Sequence, residues 1–232
     1  MPFSFQLLVE FFFPGLILLS SFFLTVDLLL PAEAAKVTTI FESSHSATLQ
    51  VIFVFASGLI CYFLGAVING VSNKFIRIGM ATFRRGMIRH KLGLKPDGTL
   101  DDLPQKERQA IEILLPTLKS KNPDDKLNEV YAAARTFSAI SSDRAGKLID
   151  YHWTLVRLSR ATLLPLGLLT LVFLLRWIAK SLAAAEAIGF FATVVLLALT
   201  FVNYKYREKF LVYTTFDLFF LSANAMYGKR DI

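Results

Sequence analysis

The chain has 232 residues and a formal charge of +7, and 54% of its residues are hydrophobic, including 22 Phe; its mean hydropathy is +0.52. This apolar share exceeds the roughly 45–50% usual in soluble domains, so the composition argues against a water-soluble globular protein and predicts a membrane protein. The single cysteine excludes a disulfide within the chain, and one cysteine with three histidines argues against a structural zinc site.

Four apolar segments have about the length of 17–25 residues that a helix needs to cross a hydrocarbon core of about 30 Å. The predicted spans are residues 7–30, 49–71, 161–179 and 183–202. No segment alternates with the period of a strand. The predicted fold class is therefore all-α: a polytopic helical membrane protein with four transmembrane helices and a helical cytoplasmic insert.

The Lys and Arg residues predict the direction of the spans. The connection 72–160 carries 17 of them and the tail after the fourth span carries five, whereas residues 31–48 carry only Lys36. Because basic residues near span ends favour the cytoplasm, we expect an inner-membrane, multi-pass protein with both termini in the cytoplasm. The predicted domains are two spans (1–71), a basic helix with the insert (72–160), two more spans (161–204) and a C-terminal helix (205–232).

The second span contains a stripe of small, weakly polar residues that recur every four positions. These residues are Ser57, Cys61, Gly65 and Asn69. Small side chains let membrane helices approach closely, and buried polar groups can bond across helices. Such a stripe can also line a wet pathway, so helix packing and pore lining both stay open.

A strongly basic stretch, NKFIRIGMATFRRGMIRHK at 73–91, follows the second span. Read as a helix, it groups the apolar Phe75, Met80, Phe83 and Met87 on one face. We expect this helix to lie on anionic lipid headgroups. Nucleic-acid binding is a weaker alternative, and an Arg–His spacing like that of one ribonuclease superfamily is weaker still. The basic residues of the stretch are Lys74, Arg77, Arg84, Arg85, Arg89 and Lys91.

The polar insert that follows has helical periodicity but is too short to bury a large core of its own. The tail residues 210–228 are highly apolar, and Asp217 is their only charge. A fifth span there would carry the basic C-terminus across the membrane. We therefore expect an interfacial helix, or one that docks on the insert or between subunits.

Charged residues within or beside the spans are Glu10, Asp27, Arg176 and Glu186. Each lies near a span end, from which its side chain can reach water. Arg176 and Glu186 flank the same outer turn, and we expect them to form an ion pair. Only 15 residues separate Arg160 from Arg176, which corresponds to about 23 Å of helix. This length is shorter than a typical hydrocarbon core, and one interpretation is that the bilayer is locally thinner there.

Searches for catalytic patterns return no phosphate-binding loop, nucleophile elbow, HExxH or CxxC motif. The paired acids at 101–102 and 124–125 are typical of loops and helix starts. We therefore expect a non-enzymatic protein with no catalytic residue, cofactor or metal.

Several stretches together resemble prokaryotic four-span membrane proteins of anti-phage defence systems. They are the start FFFPGLILL, the basic exit FIRIGMATFRRG, the re-entry RLSRATLLPLG and the basic exit YKYREKF. The resemblance concerns architecture over the whole chain and assigns no functional residue. It implies homo-oligomerisation, association with a soluble cytoplasmic protein and altered membrane integrity during infection.

These observations predict an oligomeric inner-membrane component that acts with a soluble partner to sense or perturb the membrane. A self-sufficient oligomeric pore is the alternative, supported by the stripe and the short third span. A small dimeric transporter is a further alternative, for which Glu10 is the candidate ionisable residue in the first half.

Overall fold

A computed structural model describes residues 3–43, 47–95, 100–103, 105–114, 118, 123–180 and 183–227. The structure is 93% helix, and the described ranges contain no strand. This confirms the predicted all-α fold class. The helices are α1 (Phe3–Leu29), α2 (Pro31–Ser43), α3 (Ala47–Gly79), α4 (Ala81–Lys91), α5 (Gln105–Glu112), α6 (Pro123–Ser141), α7 (Asp143–Ala179) and α8 (Ala184–Tyr227), with a short 3₁₀ turn at Leu100–Asp102.

Four of these helices are long and apolar enough to cross a membrane, as the sequence predicts. The candidate segments are Glu10–Leu29 in α1, Val51–Ile76 in α3, Asp143–Ala179 in α7 and Ala184–Ala225 in α8. Many of their large apolar side chains, such as Val54 and Phe55, are exposed. In a bilayer such side chains face lipid tails that are as apolar as themselves.

The chain divides into two compact units. Unit 1 consists of Met1–Arg77 and Arg157–Tyr204, and unit 2 consists of Ile78–Val156 and Lys205–Ile232. The predicted spans lie in unit 1, whereas most of the predicted insert and the tail lie in unit 2. Helices α3, α7 and α8 contribute residues to both units.

The tail residues up to Tyr227 do not form the separate C-terminal helix that the sequence predicts, although a segment of unit 2 does begin at Lys205. Helix α8 runs unbroken from Ala184 to Tyr227, since no proline or glycine interrupts residues 190–227. Within unit 2, its side chains at positions 212, 216, 219 and 223 are fully buried. This spacing places them on one helical face, which docks on the insert helices.

The described residues of unit 2 share one hydrophobic core, to which both the insert and the tail contribute. Helix α8 supplies Val212, Phe216, Phe219 and Ala223. The insert supplies Met87, Ile88, Leu92, Leu94, Leu103, Ala110, Ile111, Leu114, Leu127, Val130, Tyr131 and Ala134. The short insert therefore completes its core with the apolar tail, which explains why so apolar a segment follows the last span.

The basic stretch at 73–91 is not the single amphipathic helix that its pattern predicts. Helix α3 ends at Gly79, Met80 forms a turn, and α4 begins at Ala81. Met87 is buried in the unit 2 core with its neighbour Ile88, whereas Phe75 of the same predicted face is 68% exposed. The predicted apolar face is therefore split between two helices and two environments.

Helix α4 ends in a glycine motif that turns the chain back toward the core. Gly93 adopts a left-handed conformation with φ of 69°, which favours glycine. Its N–H donates to the carbonyl of His90 at 3.2 Å, and the N–H of Leu94 donates to that of Arg89 at 2.9 Å. These two bonds are those of a Schellman cap, and they direct Leu94 into the core of unit 2.

Truncating Phe216 tests whether α8 holds unit 2 together. We expect Phe216→Ala to destabilise unit 2 by about 3–5 kcal/mol, because the lost aromatic ring leaves a cavity in the core. Leu221→Ala is the matched control, since Leu221 lies on the exposed face of the same helix. Hydrogen exchange of α6 amides in the detergent-solubilised protein measures the effect. Equal exchange rates in the two variants would contradict the assignment.

Candidate functional site

Helices α1 and α3 of unit 1 are in backbone contact. A Cβ atom placed on Gly15 would lie 1.7 Å from the carbonyl oxygen of Cys61, and one placed on Gly65 would lie 1.6 Å from that of Phe11. Neither position can accept a side chain without separating the helices. This is the close approach that small residues permit between membrane helices.

The predicted small-residue stripe of α3 forms this contact. Cys61, Gly65 and Asn69 are buried, and Ser57 is partly exposed. Three of the four residues therefore lie against protein within one chain. The geometry favours helix packing over the pore-lining interpretation of the stripe.

A buried carboxylate lies one turn beyond the glycine contact and connects three spans. Glu10 of α1 is 1% exposed. Its Oε1 accepts a hydrogen bond from Asn69 Nδ2 of α3 at 3.3 Å and lies 2.7 Å from Arg157 Nε of α7. A carboxylate in a low-dielectric environment requires such partners. We call these three residues the Glu10 cluster.

The fourth helix is joined to α7 at the same end of unit 1. Asn203 Nδ2 of α8 donates a hydrogen bond to Ser159 Oγ at 3.2 Å. Arg160, one turn from Arg157, is also buried, as is Tyr204 beside Asn203. Polar side chains from all four spanning helices thus meet at this end of unit 1.

Arg176 is the centre of a second polar cluster at the opposite end of unit 1. Its Nε and Nη2 donate to the carboxylate of Glu186 at 3.0–3.2 Å. Its Nη1 donates to Asp27 Oδ2 at 2.5 Å and to the carbonyl of Leu24 at 3.1 Å. Lys180 Nζ lies 3.1 Å from Glu186 Oε1. The structure therefore brings the predicted Arg176–Glu186 pair together and adds Asp27, which joins α1 to α7 and α8.

The two clusters bound an apolar band whose height matches a bilayer. Arg157 and Arg176 are 19 residues apart in α7, which is about 28 Å of helix and close to the core thickness of about 30 Å. Arg160 and Arg176 are both buried against protein groups. The distance from Arg157 to Arg176 therefore accommodates a bilayer of ordinary thickness, and local thinning stays an interpretation.

The basic residues at 74–91 are divided among several environments. In unit 2, Arg84 forms a buried ion pair with Glu208 of α8, and Lys91 Nζ lies 2.5 Å from Asp217 Oδ1. Arg85 contacts Thr82, and Arg89 is half-buried. Lys74 is exposed on α3, and the side chain of Arg77 lies outside the described part of the structure. At least two of the six residues thus hold α4 on α8.

Arg84 and Glu208 lie in largely buried surroundings, with their side chains 12% and 1% exposed. Tyr131 of α6 is buried beside them, and burial, aided by the negative charge of Glu208, raises the pKa of Tyr131 to about 12. Desolvation disfavours the charged phenolate, as does a neighbouring carboxylate. The pair is therefore a structural contact inside unit 2 rather than a solvated surface charge.

The described residues contain no candidate metal site. No group of three or more His, Cys, Asp or Glu side chains among them is placed to share a metal ion. Within each of the two clusters of unit 1, acidic and basic side chains from different helices form ion pairs. These charged groups therefore connect the helices. Sequence reasoning missed the Glu10–Arg157 pair, although both residues lie at the predicted cytoplasmic ends of their spans.

Comparisons with known proteins add no family assignment. A scan against protein-family models and searches of curated proteins and of solved structures found no match for the chain.

The glycine contact predicts a position-specific effect of a bulky side chain. We expect Gly65→Leu to lower the stability of the detergent-solubilised protein by about 1–3 kcal/mol or more, because the added atoms overlap α1. Gly70→Leu is the control on the same helix, since its Cβ would meet nothing within 4 Å. Thermal unfolding followed by circular dichroism measures both. A larger effect at Gly70 would exclude this packing.

Neutralising Glu10 tests the buried ion pair. We expect Glu10→Gln to cost about 1–3 kcal/mol, because the buried amide cannot replace the charged partner of Arg157, whose side chain is 36% exposed and so is partly compensated by solvent. The control is Glu33→Gln in α2, whose partner Lys36 lies in an exposed pair that contributes less than about 1 kcal/mol. Unfolding in mixed micelles gives both free energies. Similar losses for the two variants would mean that Glu10 is solvated.

Proposed function

We propose that this protein is a non-enzymatic, oligomeric scaffold of the prokaryotic inner membrane that holds a soluble cytoplasmic protein. In this proposal unit 1 is the membrane anchor and unit 2 is the docking module. The anti-phage setting rests on the architectural resemblance alone. Both termini and unit 2 are assigned to the cytoplasm by the distribution of Lys and Arg.

The observation that carries the proposal is that unit 2 is a packed module that still exposes large apolar side chains. Its core is closed by α8, yet Ile140 at the end of α6 is 81% exposed. Leu148 and Tyr151, in the following helix α7, are exposed as well. Exposed apolar and aromatic side chains on an otherwise folded surface are typical of protein-binding sites.

The arrangement of unit 1 supports an anchor rather than a transporter. Glu10, the candidate ionisable residue for transport, bonds with Asn69 and Arg157. A transport site needs a group that can exchange its partners for a substrate or an ion. Here the bonds of Glu10 join three helices, so replacing them with bonds to a substrate or an ion would loosen the anchor.

The same arrangement weakens the case for a pore that acts alone. The stripe at 57–69 packs largely on α1 of the same chain. A pore formed by several copies would need another polar face, and the exposed residues of α3 such as Val54, Phe63 and Val67 are apolar. An oligomer that holds a partner does not need a polar face on its spanning helices.

The native mass of the complex from its own host's membranes tests the proposal. We expect a small homo-oligomer that carries a soluble protein in fixed stoichiometry. Ile140→Asp should release that protein without lowering membrane insertion, because a charge replaces an apolar contact. Val37→Asp, at an exposed position in α2, should retain it. A closed ring of four or more copies without a partner, together with ion flux in vesicles, would establish the pore instead.

A further inference from the structure

A partly exposed guanidinium lies at the Glu10 end of unit 1. Arg157 Nε is 2.7 Å from Glu10 Oε1, and the Arg157 side chain is 36% exposed, whereas that of Glu10 is 1% exposed. A guanidinium has five N–H donors in a planar fork, and one carboxylate occupies at most one edge of that fork. Among the described residues no second acceptor group binds Arg157, and none of its nitrogens is buried without a partner. The other edge of the fork therefore reaches the surface of unit 1.

The buried partners of Arg157 hold this fork in place. Glu10 Oε1 also accepts a hydrogen bond from Asn69 Nδ2 at 3.3 Å, so the carboxylate is fixed between α1 and α3. The ion pair with a fixed carboxylate orders the end of a long side chain that would otherwise sample many rotamers. An ordered donor loses less conformational entropy when it binds a ligand.

Two cations act on one anion at this end of unit 1. Arg160, one turn from Arg157, is 2% exposed, and its charge acts on Glu10 together with that of Arg157. The three side chains therefore carry one positive charge in excess. Solvent screens a buried charge less than an exposed one, so this excess favours an anion at the exposed edge of the Arg157 fork.

The depth of Arg157 in the membrane determines which anion it can meet. Arg157 precedes the predicted third span of 161–179 by four residues, and Glu10 is the first residue of the candidate segment Glu10–Leu29. Both side chains thus lie where the hydrocarbon core ends. Phospholipids place their headgroups at this depth, and basic residues between spanning helices bind them. The fork of a guanidinium matches two phosphate oxygens with parallel N–H···O bonds.

We propose that Arg157 binds the phosphate of an anionic phospholipid, such as phosphatidylglycerol, from the leaflet at the Glu10 end of unit 1. Glu10 and Asn69 are positioning residues in this site, since they hold the guanidinium, and Arg160 adds electrostatic attraction. The site differs from a general attraction of lipids to the basic stretch at 73–91, because a buried carboxylate orders its donor. The inference does not involve a soluble partner, so its failure would leave the partner-holding role of unit 2 untouched.

Lipid titration of the full-length protein in detergent micelles tests the proposal. Native mass spectrometry counts the bound molecules as phosphatidylglycerol or phosphatidylcholine is added. We expect phosphatidylglycerol to bind more tightly, because the choline group of the other lipid is repelled by the excess positive charge. Equal affinities for the two lipids would overturn the proposal.

Variants separate lipid binding from the stability of the ion pair. Arg157→Lys keeps a cation for Glu10 but loses the fork, and we expect it to weaken phosphatidylglycerol binding by about tenfold. The double variant of Arg157→Gln with Glu10→Gln, which leaves neither charge unpaired, should show a similar loss. Arg144→Gln removes an exposed cation from the same helix, N-terminal to the predicted third span, and should bind the lipid as the unsubstituted protein does.

Glu10→Gln breaks the same ion pair from the other side but keeps the fork. It should bind phosphatidylglycerol at least as tightly as the unsubstituted protein, because the competing negative charge is gone. Equal losses in Glu10→Gln and Arg157→Lys would show that the pair acts only through the structure of unit 1. That result, or unchanged binding in both Arg157 variants, would overturn the proposal.

Soluble phosphate distinguishes the two sources of the anion. Inorganic phosphate is added in large excess to the protein with its bound phosphatidylglycerol. We expect it to displace little of the lipid, because acyl chains hold the headgroup at the micelle surface at a high effective concentration. Full displacement would identify a soluble phosphate as the ligand and would overturn the lipid assignment.

Discussion

The cost of burying a charge in a low-dielectric environment is the constraint on which unit 1 depends. A carboxylate such as that of Glu10 is stable there only while hydrogen-bonded cations and amides surround it. Asn69 and Arg157 provide those groups, and they come from two other helices. The bond therefore sets the relative positions of α1, α3 and α7 at one end of the bundle. Arg176, with Asp27 and Glu186, does the same for α1, α7 and α8 at the other end.

Such connections form only where the helices come close enough. Gly15 and Gly65 remove the side chains that would separate α1 from α3, and Asn69 follows Gly65 by one turn. The small residues and the polar residue of the stripe thus have complementary roles. The glycines bring the backbones together, and the amide then reaches the carboxylate.

Unit 2 depends on a different interaction, the burial of apolar area from two distant parts of the chain. The insert alone is too short for a large core, and α8 supplies Phe216 and Phe219 to complete it. Arg84 and Lys91 then pair with Glu208 and Asp217 along the same helix. These contacts account for an apolar tail that is not a fifth span and for a basic stretch whose charges are partly neutralised.

The sequence by itself determined the four spans, the helical class and the Arg176–Glu186 pair, because hydropathy, helical period and a short turn are local properties. It also indicated the stripe at 57–69 but left both helix packing and pore lining open. Only the tertiary structure decided that the stripe faces α1, that Glu10 bonds to Arg157 and that the tail continues α8 into the core of unit 2. Each of these depends on which surfaces meet between residues far apart in the chain. Periodicity shows that a helix has an apolar face. Which other helix packs on that face depends on the buried area and the charge pairs of all the helices together.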